Sequence, residues 1–348
     1  MESDPNSFRS WRSLVIAPQW IGDAVMTEPL MRRLEARGER ITVGALPWVA
    51  PVYRAMPSVA EVIELPFQHG GLQLRARRQL GRDFKGRFDV AYVLPNSLKS
   101  ALLPLMAGIP KRVGYLGEAR VGLLTHRLPN PPRGQRPPMV ALYARLSGDA
   151  DVSADRPVLH VDAAAADAEL ASLGLVRGAY TVFAPGAEYG PAKRWPPTHF
   201  VQLALAHSLP IVLLGSAKEA PLCDGIAVPV NARQPDKCVN LAGKTTLAQA
   251  FMVISAAKQV VSNDSGLMHV AAAFGVPQVA IFGSSSPLHT PPLSDHAAVL
   301  WLKTDASYQP PLDCAPCFER TCRLTAANGH MRCLNDLFPG TVLQQLQP

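Results

Sequence analysis

The chain has 348 residues, 48% of them hydrophobic and 18% charged, the makeup of a folded globular protein of about two domains. No run of about 20 apolar residues is present, and residues 1–11 lack the apolar stretch of a signal peptide, so the expected compartment is the cytoplasm. A formal net charge of +7 predicts an anionic partner, either a phosphorylated substrate, an acidic membrane surface or nucleic acid; no nucleic-acid motif accompanies it, so nucleic acid is not expected.

Residues 13–18 read as a strand, Gly22 and Asp23 open a helical pattern through Glu28, Leu30, Leu34 and Arg37, and Gly38 stops it. Residues 41–46 and 60–65 read as further strands, with an apolar segment at 52–56 between them. A buried strand at 90–94 leads into an apolar helix over 97–107 that ends near Gly108. A Pro-rich stretch at 129–138 interrupts the pattern before a helical segment at 140–146. A second series follows, with an Ala-rich helix at 163–173, strands at 180–184, 211–214, 259–262 and 279–282, and helices at 197–206, 247–257 and 267–274. Such alternation predicts parallel sheets covered by helices. Two series with a break around 150–165 therefore predict an α/β chain of two Rossmann-like, doubly wound domains, 1–160 and 161–348. Residues 338–347 read as a final helix, expected to pack back on the first domain.

Four loops at strand ends carry residues suited to chemistry. In the first, Gly22 lets the backbone approach a ligand closely, and Asp23 can cap the helix or take a proton from an attacking hydroxyl. The second, Pro185, Gly186, Ala187 and Glu188 through Lys193, Arg194 and Trp195, places backbone N–H groups and two cations where a phosphate could bind; it matches neither the P-loop nor the dinucleotide fingerprint. The third, Asn263, Asp264, Ser265, Gly266, Leu267, Met268 and His269, sets small polar residues at a helix start, a natural anion site or an ordinary cap. Ser284, Ser285 and Ser286 form a fourth loop, expected to close the donor pocket or to be a polar turn.

Taken in order, these motifs resemble the lipopolysaccharide heptosyltransferases of glycosyltransferase family 9, from about residue 14 to 300. Residues 92–100, Tyr-Val-Leu-Pro-Asn-Ser-Leu-Lys-Ser, resemble the members that add heptose to the first heptose of the inner core. The resemblance implies a GT-B fold, two Rossmann-like domains facing across a cleft, the first holding the acceptor and the second ADP-heptose. It implies a single inverting displacement, with Asp23 as base and Lys193 beside the donor phosphates. Gly186, Ala187, Glu188, Asp264, Ser265, Gly266, Leu267 and His269 are then expected on the donor, and Gly22, Asn96, Ser97, Lys99 and Arg120 on the acceptor. No cofactor is required for catalysis on this reading. The partners it implies are ADP-heptose, heptosyl-Kdo2-lipid A and, peripherally, the inner face of the cytoplasmic membrane. Members acting on a neighbouring core sugar, and a twin-Rossmann sugar-nucleotide epimerase, stand as alternatives.

Two further clusters are set apart from these loops. Cys314-x2-Cys317-x4-Cys322 followed by His330-x2-Cys333 departs from the simplest members of the family. Cys314, Cys317, Cys322 and Cys333 could hold a structural zinc, which needs four ligands; reduced cysteines and redox-dependent disulfides are the alternatives. Arg75, Arg77, Arg78, Arg82, Lys85 and Arg87 form a basic run, joined in sequence by Lys99, Lys111, Arg112 and Arg120, which could meet acidic groups of the acceptor, a membrane surface, or only water.

Overall fold

A computed structural model describes residues 10–68, 71–132, 136–152 and 155–346. The chain divides between Asp155 and Arg156 into two compact units, five residues before the expected boundary at 160.

The first unit is a parallel sheet of β1 (Arg12–Ile16), β2 (Arg40–Ala45), β3 (Glu61–Glu64), β4 (Val90–Val93), β5 (Lys111–Tyr115) and β6 (His126–Leu128), in the order β3-β2-β1-β4-β5-β6. Its helices are α1 (Ile21–Met26), α2 (Glu28–Ala36), α3 (Ala50–Arg54), α4 (Leu74–Asp83), α5 (Leu98–Met106) and α6 (Met139–Ala144). Leu14, Val15, Ala91 and Val93 on the two central strands have no exposed surface, as expected where helices cover both faces. The single helix expected after Gly22 is two. Pro29 lacks the N–H that would continue α1, and Thr27 closes the break, its hydroxyl donating to the Ala24 carbonyl at 2.6 Å.

The second unit repeats the plan with β7 (Thr181–Ala184), β8 (Ile211–Leu213), β9 (Cys238–Asn240), β10 (Gln259–Asn263), β11 (Gln278–Ile281) and β12 (Ala297–Leu300), ordered β12-β11-β10-β7-β8-β9. Its helices are α7 (Ala163–Ser172), α8 (Pro197–Ala206), α9 (Ala220–Asn231), α10 (Leu247–Ser255), α11 (Gly266–Ala273), α12 (Arg332–Asn335) and α13 (Pro339–Gln344). In the last helix, α13, Val342 joins the second unit's core with Trp195, Phe200 and Leu337, and α13 packs on α8.

Each sheet reverses its winding at one place, between β1 and β4 in the first unit and between β7 and β10 in the second. In doubly wound sheets the loops leaving the carboxyl ends of such a strand pair diverge to opposite faces and open a ligand crevice. Gly22, Asp23 and Asn96 follow β1 and β4, while residues 185–195 and Asp264 follow β7 and β10.

Candidate active site

In the first unit, α1 starts at Ile21 with Trp20 as its cap, so Asp23 lies inside the first turn and is not the cap residue. A carboxylate there is favoured by the unpaired N–H groups and dipole of the helix start. Asp23 is half-buried, and the phenols of Tyr53 and Tyr143 lie deep in the same unit. Burial first, and then the charge of Asp23, raises both phenols above their ordinary range. Both remain neutral at any working pH.

The loop after β4 is pinned from below. Arg120 is fully buried, donating to the Pro95 carbonyl at 2.7 Å, to Asn96 Oδ1 at 3.0 Å and to the Tyr115 carbonyl. Burial lowers its pKa. Through its two terminal nitrogens Arg120 positions the loop that carries Asn96. Asn96 is exposed, Ser97 caps α5 by backbone geometry, and the Leu98 N–H donates to Glu118 Oε2 at 2.8 Å. Lys99 is half-buried on the first turn of α5.

In the second unit, the loop after β7 is tied to the end of β10 by one side chain. Asn263 Oδ1 accepts from the Trp195 N–H at 3.0 Å, and its amide donates to the Pro185 carbonyl at 2.7 Å. The Trp195 indole is wholly buried and donates to the Leu337 carbonyl at 2.8 Å. Gly190 is required where the loop crosses the cysteine segment, because a Cβ there would stand 2.4 Å from the Arg320 carbonyl oxygen. Held at both ends, the loop presents Lys193, whose Nζ lies 2.5 Å from Asp264 Oδ2; the two side chains are 18% and 5% exposed. Glu188 is exposed and lies 3.7 Å from Lys218.

Asp264 leads into α11, whose first N–H groups have no intrahelical acceptor. His269, a turn further in, is buried against the pair, and desolvation pushes its imidazole down to about 4, with Lys193 lowering it further and Asp264 opposing. It is therefore neutral at pH 7. At this helix start the buried hydroxyl of Ser265, and on the loop after β11 those of Ser284 and Ser285, have no hydrogen-bond partner among the described residues. Buried polar groups are rarely left so, and an anion with several acceptor oxygens would satisfy them. Gly186 faces Glu219, whose Oε1 would fall 1.9 Å from a Cβ at that position, while the other oxygen is fixed by the Ser216 N–H at 2.8 Å. Glu219 is an acceptor facing this loop that the sequence reading missed, because nothing in its own stretch marks it; only the fold brings it to Gly186.

The four clustered cysteines line one cavity of about 210 Å³, and the Met331 N–H lies 3.4 Å from Cys322 Sγ. Burial, and after it the three neighbouring thiols, pushes Cys333 up to about 12. The expected zinc set is not assembled: among the described residues, no group of three or more His, Cys, Asp or Glu side chains is arranged to hold a metal ion. The segment braces the loop after β7 through its backbone. The Tyr189 hydroxyl donates to the Phe318 carbonyl at 2.7 Å, the Ala192 N–H to the Arg320 carbonyl at 3.1 Å, and the Phe318 N–H to the Ser284 carbonyl at 2.7 Å.

The profile of glycosyltransferase family 9 (heptosyltransferase) matches residues 77–327. The chain is 41% identical to lipopolysaccharide heptosyltransferase 2 of Escherichia coli K12, over 96% of its own length and 97% of that protein's. It is 40% identical to the Salmonella typhimurium protein of the same name, over the same shares. Among solved structures, ADP-heptose LPS heptosyltransferase II of E. coli superposes with a TM-score of 0.81 at 38% identity, covering 96% of this chain and 97% of that one.

Proposed function

The chain belongs to glycosyltransferase family 9, the heptosyltransferases, and on that premise we propose that it transfers L-glycero-D-manno-heptose from ADP-heptose to the first heptose of heptosyl-Kdo2-lipid A. The two units, each built on one six-stranded parallel sheet, are those of the GT-B architecture. One observation above the rest supports the chemical reading: the half-buried carboxylate of Asp23 and the Lys193–Asp264 pair each stand at the carboxyl end of a sheet switch point.

On this reading, Asp23 accepts the proton of the acceptor hydroxyl as its oxygen attacks the anomeric carbon, help worth about 10²–10⁴-fold. The bond to the β-phosphate oxygen breaks in the same step, and attack from the opposite face inverts the anomeric centre. The ADP released gains negative charge. Lys193, the first N–H groups of α11 and the hydroxyls of Ser265, Ser284 and Ser285 receive that charge. Asp264 holds the lysine in place. The neutral His269 adds no competing positive charge behind the phosphate site, and Glu219 beside Gly186 offers acceptor oxygens to donor hydroxyls. In the first unit, Asn96, fixed by Arg120, and Lys99 offer contacts to the acceptor.

The acceptor is an amphiphile embedded in a bilayer. Among the described residues no helix is long and apolar enough to cross a membrane, so on this reading the chain meets the lipid surface from outside.

The test is transfer by purified protein from ADP-heptose to heptosyl-Kdo2-lipid A and to Kdo2-lipid A, followed by mass spectrometry beside Asp23→Ala. Addition of one heptose to the former alone, lost in the variant while ADP-heptose still binds, is the expected result. Addition to Kdo2-lipid A instead would overturn the acceptor assignment, and full activity of the variant would overturn the base.

A further inference from the structure

Six cations lie between Arg75 and Arg87, and the fold divides them. Two serve the protein itself. Arg77 is buried, stacks 4.0 Å over the Phe67 ring and donates through Nε to the Leu72 carbonyl at 2.8 Å. Arg87 lies over the rings of Phe84 and Phe88 and 3.6 Å from Glu61. The other four, Arg75, Arg78, Arg82 and Lys85, are exposed, and among the described residues none of them has a carboxylate partner. The nearby Asp83 is engaged by Gln79.

Their placement follows from how α4 is packed. Gly81 allows α4 to close on the end of α5, where a Cβ would stand 2.8 Å from Met106 Cβ, and Arg77 and Gly81 are the helix's buried residues. With that face fixed inward, Arg75, Arg78 and Arg82, at spacings of three and four, form one outer row, and Lys85 continues it just past the helix end. Leu74 stands one turn before Arg78 on the same row and is 48% exposed; Leu72, just before the helix, is 46% exposed. The two exposed leucines stand at the tip of a row of exposed cations about 16 Å long.

We propose that this outer row of α4 is a docking surface for an anionic lipid bilayer, with Arg75, Arg78, Arg82 and Lys85 meeting headgroup phosphates and Leu72 and Leu74 entering the acyl boundary. Charge complementarity carries the assignment. Unpaired cations near an anionic surface each strengthen partitioning about fivefold, so four give an effect of several hundredfold that collapses as salt screens it. Leucines beside them supply the salt-independent part that a soluble polyanion would not use. The inference rests on the proposed function only in that a lipid-borne acceptor gives the surface its use.

The experiment is co-sedimentation of the intact chain with vesicles of phosphatidylethanolamine containing a quarter phosphatidylglycerol, beside vesicles of phosphatidylcholine alone, at low and at half-molar salt. Binding to the anionic vesicles only, lost at high salt, reduced at least a hundredfold in R75Q/R78Q/R82Q/K85Q and several-fold in L72S/L74S, is the expected result, with circular dichroism melts confirming that both variants fold. Equal binding of wild type and the fourfold variant, or binding to neutral vesicles alone, overturns it. Heptose transfer to a delipidated acceptor oligosaccharide is run in parallel. Unchanged rates in the fourfold variant support a lipid surface, and an equal fall there assigns the row to the acceptor sugar and overturns the proposal. A wild type that binds anionic vesicles but transfers no heptose would defeat the proposed function and leave this inference standing.

Discussion

His269 makes the stability of the second unit depend on pH in a direction and size that can be worked out. Its imidazole is buried behind Lys193 and Asp264, where desolvation holds it down to about 4, against about 6.5 in an unfolded chain. Between those values the unfolded chain binds a proton that the folded chain refuses, so stability is fully present above about 6.5 and is lost as pH falls toward 4. Integrating the difference gives a loss of about 2 kcal/mol at pH 5, rising to about 3 kcal/mol near pH 4. His199 and His207 are lowered by burial as well and add losses of the same sign, so the contribution of His269 must be read by difference. Urea unfolding of wild type and His269→Gln, followed by the fluorescence of the buried Trp195 at pH 8 and pH 5, isolates it. Wild type should lose about 2 kcal/mol more than the variant over that interval. Identical losses would show that His269 is not held neutral by burial, and the account of an uncharged imidazole behind the phosphate site would fail with it.

Asp264→Asn leaves Lys193 without its partner at 2.5 Å. Steady-state kinetics should show kcat lower by about 10²–10³-fold with the acceptor KM unchanged, and thermal melts a stability loss of about 2–4 kcal/mol. Gly190→Ala forces a Cβ against the Arg320 carbonyl and should shift residues 189–193, raising the KM for ADP-heptose in the same assay while leaving the acceptor KM alone. Arg120→Met removes the donors that Pro95, Asn96 and Tyr115 share. It should cost about 1–3 kcal/mol in a melt and raise the acceptor KM with the donor KM unchanged, a split that a general loss of folding would not produce.

The strand-end loops were legible because apolar runs stop there at Gly, Pro or small polar residues: Gly22 after β1, Pro185 and Gly186 after β7, Asp264 and Ser265 after β10. The two-unit α/β plan followed from the same alternation. The edges did not. β6 is His-Arg-Leu and β9 is Cys-Val-Asn, three residues each, too short and too polar to show a period, while β5 begins with two cations and contains Gly114. α9 carries an internal Pro229, and α4 carries six charged or amide side chains, so neither announces an apolar face. The hold that Arg120 has on its loop was hidden for a different reason. Charge in a sequence reads as surface, and only the fold reveals that three oxygens converge on this guanidinium beneath the loop after β4.

Arg120 and Asn263 solve one problem in two places. A doubly wound sheet opens its crevice where loops diverge, so the loops that must carry reactive groups are those with the least neighbouring strand to hold them. In the second unit, Asn263 ends β10 and reaches across to both Pro185 and Trp195, making the donor loop an extension of the sheet core. In the first, Arg120 reaches from beyond β5 to Pro95 and Asn96 and does the same for the loop after β4. Each is buried, each holds its loop through bonds to backbone or to a neighbouring amide, and neither needs to touch a substrate to matter. Placement of the reactive groups is therefore set by buried side chains that do not themselves react, and a substitution at either should move Michaelis constants on one substrate only.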